Sequence, residues 1–143
     1  MEYSNKKELV EKLNNAKENP ILSIEGTSET PEVLLNSKEG EFKFSGRSLP
    51  ENAKEFFHPI IEWIANYREN PVKGTKVVFQ FEYFNTASSK LIWELIEEIR
   101  QLKEKDPDTI VEWHYLKDDD EMLEAGEDYA DMVGIEFKYV SYD

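Results

Sequence analysis

The chain has 143 residues, of which 39% are hydrophobic and 13% aromatic, and this predicts one domain with a substantial core. Its 17 Lys and Arg against 31 Asp and Glu give a net charge of −14, which disfavours nucleic acid and anionic membranes as partners. The absence of cysteine excludes disulfides, zinc-thiolate sites and thiol catalysis. Because no signal core or membrane-spanning run is present, we expect a cytoplasmic protein.

The N-terminal third predicts a helix followed by strands. Apolar residues recur at helical spacing until Asn19-Pro20 interrupts them, so residues 1–20 are expected to form a helical extension of a domain at residues 21–143. The positions concerned are Leu9, Val10, Leu13 and Ala16. From Ile21 the residues favour β structure, and a turn over residues 36–40 predicts a hairpin.

The rest of the chain alternates helices and strands. A helix is expected after residues 48–52, bent at Pro59, and then a strand over residues 76–84 whose nearly continuous apolar run predicts cover on both faces. A second helix reaches residues 105–107, a strand spans residues 109–116, and a third helix starting at Asp118–Glu121 ends at Gly134 before a last strand at residues 135–142. We therefore predict a single α/β domain: a mixed, mostly parallel sheet with an N-terminal hairpin and helices packed on it.

Candidates for catalysis are few. His58 falls within a predicted helix and His114 within a predicted strand, and neither has neighbouring ligand-type side chains at metal spacing. The acidic run Asp118–Glu121 lacks the spacing of a calcium-binding loop and is better explained as a helix start. No glycine-rich phosphate loop or nucleophile elbow is present. We therefore expect no enzyme, no cofactor and no metal, while a small acidic enzyme that uses His114 with carboxylates remains the alternative.

The most informative segment is residues 85–90, Asn-Thr-Ala-Ser-Ser-Lys, which follows the strand at residues 76–84 and begins the second helix. A helix start favours a hydroxyl cap and also a phosphate, because its first N–H groups are unpaired and its dipole is positive there. With about 100° per residue, Ser88 falls within the apolar arc of this helix, whereas Thr86 projects to solvent on the same side as Trp93. Thr86 is therefore either a plain first-turn residue or a phosphorylation site.

Six neighbours of Thr86 are candidate partner-docking residues: Tyr83, Phe84, Asn85, Ser89, Lys90 and Trp93. Structural roles compete with docking at several of them. Asn85 is expected to cap the helix, Phe84 to be a strand-end core residue and Lys90 to be a solvated charge. Trp93 is either an exposed docking residue or a peripheral core residue.

Several motifs occur in an order that is similar to a known family. They are Gly26-Thr27 with Thr30-Pro31, Gly46-Arg47-Ser48 with Leu49-Pro50-Glu51-Asn52, Tyr83 to Lys90, and Trp113-His114-Tyr115. From about Ile24 to the C-terminus the chain resembles the SiaC family of bacterial regulatory phosphoproteins, which resemble the STAS-type anti-sigma factor antagonists in fold. The resemblance does not extend to the N-terminal helix, and Trp93 stands where a smaller apolar residue is expected.

The resemblance implies a non-enzymatic signalling adaptor with an STAS-like fold. Such an adaptor is phosphorylated on a threonine by a partner serine/threonine kinase and dephosphorylated by a metal-dependent, PP2C-type phosphatase. In the biofilm-regulating members, the unphosphorylated form binds and activates a diguanylate cyclase and so raises cyclic di-GMP. The position that matches the family's phosphoacceptor is Thr86. A constitutive protein-interaction domain without phosphorylation is the further alternative.

Overall fold

The computed structural model describes residues 20–143. The predicted N-terminal helix, and with it nearly all of the extension at residues 1–20, lies outside the described residues. The described part contains six strands and three helices. In chain order they are β1 (Ile21–Ile24), β2 (Glu32–Asn36), β3 (Glu41–Ser48), α1 (Ala53–Tyr67), β4 (Lys76–Phe84), α2 (Thr86–Lys105), β5 (Ile110–Leu116), α3 (Asp120–Val133) and β6 (Lys138–Tyr142).

The six strands form one sheet in which the spatial order equals the chain order, β1 to β6. Strands β1, β2 and β3 pair antiparallel, as the predicted hairpin requires, with β1 added at its edge. Strands β3 to β6 pair parallel, and each parallel connection contains one helix. The predicted fold class, a single α/β domain with a mixed, mostly parallel sheet, is confirmed.

The helices cover one face of this sheet. Along β4, Val77, Phe79 and Phe81 are buried, whereas Val78 and Gln80 between them are only half-buried. Right-handed crossovers that always step to the next strand on the same side place every helix on the same face. The prediction that β4 is covered on both faces is therefore wrong for the described residues, and we call the uncovered side the open face.

The core lies between the sheet and the helix layer. From the sheet it takes the alternate residues that face the helices, among them Phe42, Phe44 and Trp113, each at most 1% exposed. From α2 it takes the predicted apolar residues, all of which are buried: Leu91, Ile92, Leu95, Ile96, Ile99 and Leu102. The period of the sequence thus determined which side of α2 faces the sheet.

Side-chain caps fix where the helices begin. Asn52 accepts a hydrogen bond from the Glu55 N–H at 3.2 Å at the start of α1, which continues through Pro59. Asp119 accepts one from the Met122 N–H at 3.0 Å at the start of α3. The carboxylates of residues 118–121 thus serve a helix start, as predicted. At the other end of α3, Gly134 adopts φ +81°, which a glycine C-cap supplies without strain.

A β-bulge lies where β3 and β4 approach α2. Gly46 pairs with Phe81, but the next pairs are Arg47 with Tyr83 and Ser48 with Phe84, so Glu82 is an extra residue on β4. Such a bulge changes which face the following side chains point to. Since Ser48 reaches α2, its strand neighbour Arg47, together with the paired Tyr83, points to the open face.

Candidate functional site

The junction between β4 and α2 is tied to β3 by hydrogen bonds from both backbone and side chains. The Asn85 N–H donates to the Ser48 carbonyl at 3.0 Å, and the Asn85 side chain accepts from the Ser88 N–H at 2.9 Å. Asn85 therefore caps α2, as predicted. Because Ser48 belongs to a central strand, the first turn of α2 is held at a fixed position over the sheet.

The three hydroxyls of this turn have different surroundings. Ser88 is fully buried, and its hydroxyl oxygen accepts a hydrogen bond from the Ser48 hydroxyl at 2.8 Å. The Ser89 hydroxyl lies 2.9 Å from the Tyr129 hydroxyl, which itself donates to the Ser89 carbonyl at 2.8 Å. Since a phenol has one proton to donate, Ser89 donates to Tyr129. Burial raises the pKa of Tyr129, so this phenol stays protonated.

Thr86 differs from both serines. It is exposed at the first position of α2, as the helical projection predicts, and within residues 20–143 its hydroxyl has no hydrogen-bond partner. The two serine hydroxyls are engaged and at least half-buried, so Thr86 is the accessible hydroxyl of the turn.

Two predicted docking residues share the outer side of α2 with Thr86. Lys90 and Trp93 follow it by four and seven residues, which places all three on one stripe about 10 Å long. Lys90 is exposed, and Trp93 is 38% exposed despite its size. We call Thr86, Lys90 and Trp93 the α2 stripe.

The other aromatic candidates lie away from this stripe. Tyr83 is 45% exposed on the open face, where the Arg47 guanidinium lies 5.3 Å from its ring centre. Phe84 packs on the helix side against Phe81 and Tyr129, with ring centres 5.8 and 6.1 Å apart. The bulge therefore places Tyr83 on the open face, whereas Trp93 lies on the helix layer.

The two histidines lie elsewhere. His114 Nε2 is 2.8 Å from Glu112 on the open face, and this hydrogen bond is the main reason why the Glu112 pKa is lowered; Lys76, 3.5 Å from the same carboxyl, lowers it further. His58 lies 3.8 Å from Glu94 between α1 and α2. The described residues contain no cluster of three or more metal-ligating side chains. The convergence of His114 with two carboxylates that the enzyme alternative requires does not occur among them.

Sequence reasoning missed Ser48, Tyr129 and Arg47. Ser48 and Arg47 belong to the Gly-Arg-Ser motif quoted above, which flagged the segment without giving a role to either side chain. Tyr129 lies within the third predicted helix, and its hydroxyl reaches a residue 40 positions away in the chain. Contacts of such separation leave no periodic signal in a single sequence.

The fold and the junction define a small α/β domain with one accessible hydroxyl in the first turn of a central helix. The profile described as SiaC family regulatory phosphoprotein matches residues 24–142. The chain belongs to the SiaC family of regulatory phosphoproteins.

The chain is also similar to proteins of Pseudomonas aeruginosa in sequence and in fold. An uncharacterized protein of strain UCBPP-PA14 is 23% identical over 122 residues, or 85% of this chain and 97% of that protein. The structure of SiaC matches with a TM-score of 0.73 at 22% identity, covering 85% of this chain and 98% of the other. The structure of the diguanylate cyclase SiaD in complex with its activator SiaC matches with a TM-score of 0.77 at 22% identity, covering 85% and 99%. No helix in the described part of this chain is long and apolar enough to cross a membrane.

Proposed function

We propose that this protein is a non-enzymatic adaptor switched by reversible phosphorylation of Thr86, and that its unphosphorylated form binds and activates a diguanylate cyclase. The observation that carries the proposal is the contrast among the hydroxyls of one helical turn. Ser88 is fully buried against Ser48, Ser89 is bound to Tyr129, and Thr86 is exposed with an unengaged hydroxyl. A kinase that reaches this turn finds Thr86 accessible without rearrangement of the fold.

The position of Thr86 suits a modification that leaves the domain folded. A phosphate there adds about −1.5 to −2 charges at neutral pH, and it is tolerated at a helix N-terminus because the first N–H groups and the dipole favour negative charge. Lys90, one turn further, is exposed and available to the phosphate. The modified and unmodified proteins should therefore share one fold and differ in what they bind.

The α2 stripe explains how one phosphate changes binding. Trp93 is a large apolar side chain of the kind that anchors protein interfaces, and it lies about 10 Å along the helix from Thr86. A partner packed on Trp93 and Lys90 with carboxylates near Thr86 would meet like-charge repulsion and a desolvation cost after phosphorylation. We therefore assign Lys90 and Trp93 to effector docking, and Asn85, Ser89 and Phe84 to holding the stripe in place.

The proposed effector is supported by a relative in the family. A SiaC protein is described as the activator of the diguanylate cyclase SiaD, and the present chain covers nearly all of the chain it matches in that complex. A partner serine/threonine kinase and a PP2C-type phosphatase complete the proposed cycle, and the proposed site of action is the cytoplasm.

The acceptor assignment is tested in the native host. Wild-type protein, Thr86→Val and Ser89→Ala are recovered and their phosphorylation is measured by mass spectrometry. Valine matches the shape of threonine without its hydroxyl, so Thr86→Val should lose the modification while Ser89→Ala keeps it. Labelling of Thr86→Val to the wild-type extent would refute Thr86 as the acceptor, and an unmodified wild-type protein would favour a constitutive interaction domain.

Effector control is tested with the purified host cyclase. Protein carrying phosphothreonine at position 86 and Trp93→Ala should each bind at least about tenfold more weakly than unmodified wild type, and should lower cyclic di-GMP synthesis in proportion. Tyr139→Ala is the matched control, because Tyr139 is an aromatic residue that is also 38% exposed and lies on the edge strand β6. Equal binding of the phosphorylated and unmodified forms would refute the switch.

A further inference from the structure

We propose that the open face is a second docking surface, on which Arg47 and Tyr83 bind an acidic segment of a partner protein independently of the phosphorylation state of Thr86. This surface lies on the side of the sheet opposite the helices, and the α2 stripe lies on the helix layer. The inference goes beyond the proposed switch, since it concerns a partner that the switch does not control.

Arg47 is the first reason. The sequence contains three arginines, and two of them contact carboxylates in the structure: Arg68 lies 2.6 Å from Glu98, and Arg100 lies 2.6 Å from Glu97. Arg47 has no carboxylate within ion-pair distance among residues 20–143. Its Nε donates to the Ser28 carbonyl at 3.3 Å, which leaves the two terminal nitrogens of the guanidinium for a ligand. A guanidinium presented in this way matches a carboxylate in two parallel hydrogen bonds.

Tyr83 is the second reason. Its ring is 45% exposed directly beside the Arg47 guanidinium, and the bulge at Glu82 turns it to the face on which Arg47 lies. Arginine and tyrosine are among the residues that contribute most to protein interfaces. Together they provide a guanidinium that can bind a carboxylate and an aromatic ring that can pack against the methylene groups of an Asp or Glu side chain.

The charge of the face is the third reason. Its strand residues include equal numbers of cations and carboxylates in a protein whose net charge is −14, so the excess negative charge lies elsewhere. The cations are Lys43, Arg47, Lys76 and Lys138, and the carboxylates are Glu32, Glu41, Glu82 and Glu112. An acidic partner therefore meets less electrostatic repulsion at this face than the net charge of the whole protein implies.

The strand arrangement is the fourth reason. Parallel strands are almost always covered on both faces, yet β3 to β6 leave Val78 and Val140 only half-buried on this side in the described part of the chain. A face of this kind is typical of a surface that is covered in a complex.

The experiment uses a photoreactive side chain in the full-length protein within its native host. Tyr83 is replaced by p-benzoylphenylalanine, cells are irradiated, and the cross-linked peptide is sequenced. The same replacement at Tyr139, which is 38% exposed on the helix side of β6, is the control for exposure. The Tyr83 probe is combined with Arg47→Glu, with Thr86→Val, and with Lys117→Glu, which makes the same charge change at another exposed residue.

The proposal expects a discrete adduct whose cross-linked peptide is rich in Asp and Glu. Arg47→Glu should reduce that adduct about tenfold, while Lys117→Glu and Thr86→Val should leave it unchanged. Reversing the charge of the partner's contacting carboxylates to Arg should restore the adduct with Arg47→Glu. The proposal is overturned by no adduct, by an adduct insensitive to Arg47→Glu, or by a cross-link to residues 1–19, to a second copy of the chain or to a basic segment. Because Thr86 is not involved, failure here leaves the phosphorylation tests unaffected.

Discussion

Gly126 on α3 allows the closest helix-to-sheet approach among the described glycines, and we predict that Gly126→Ala destabilises the protein. A Cβ at this position would lie 2.5 Å from Cδ1 and 2.6 Å from Nε1 of Trp113, about 1 Å inside an ordinary contact. Trp113 cannot move aside, because it is fully buried and its ring lies 5.7 and 5.8 Å from those of Phe79 and Phe137.

The magnitude combines opposing effects. Overpacking of a dense core costs about 1–3 kcal/mol. Displacement of the indole also breaks the 2.9 Å hydrogen bond from Trp113 Nε1 to the Met122 carbonyl, and a buried donor left unpaired costs about 1–3 kcal/mol. Alanine regains about 1 kcal/mol over glycine in a helix interior. The expected net loss is about 1–5 kcal/mol, and the mid-range value of about 3 kcal/mol lowers the Tm of a domain of this size by roughly 10 °C.

Urea unfolding of the full chain, followed by tryptophan fluorescence, measures this loss. Glu127→Ala, an exposed substitution next along the same helix, should change the free energy of unfolding by less than about 0.5 kcal/mol. Trp113→Phe should make Gly126→Ala less costly than it is in the wild type, because the smaller ring removes the overlap and the N–H. If Gly126→Ala is as stable as wild type or more stable, helix propensity outweighs the contact and the reasoning is wrong.

Two further predictions concern stability. Tyr129→Phe removes the hydroxyl that binds both the Ser89 hydroxyl and the Ser89 carbonyl. It should lower the free energy of unfolding by about 1–2 kcal/mol in chemical denaturation and increase amide hydrogen exchange in the first turn of α2. Unchanged exchange in that turn would contradict this prediction. The Glu112 pKa is lowered from 4.5 by His114 and Lys76, so ionised Glu112 stabilises the folded state above about pH 4.5 and this contribution, about 0.2–1 kcal/mol, is lost in more acidic solution. Glu112→Gln should flatten the acid limb of a Tm-against-pH curve, which an unaltered limb would disprove.

The sequence was sufficient wherever local chemistry decides the structure. The run from Lys76 to Phe84 predicts the bounds of β4, and the apolar period of α2 correctly turns Ser88 inward and Thr86 outward. Asn85 is a cap residue by type and by position. In each case the determining interactions lie within a few residues of one another.

Long-range geometry set the limit of prediction. The apolar density of β4 indicated two covered faces, but the order of the strands places all three helices of the described part on one. Simple alternation from Phe81 puts Tyr83 on the helix side, and only pairing with β3 reveals the extra residue Glu82. A bulge is defined by the pairing of two strands, so the sequence of one strand alone does not predict it.

The anchoring of α2 by Ser48 and Tyr129 has a consequence for how the acceptor can be studied. Both contacts join residues 40 positions apart, so a synthetic peptide spanning residues 80–95 would lose them together with the helix. Thr86 would then be one of three free serine and threonine hydroxyls on a mobile chain. Only the folded domain leaves Thr86 as the accessible hydroxyl. An unfolded or truncated protein would have the same local sequence but would not distinguish Thr86 from the two serines.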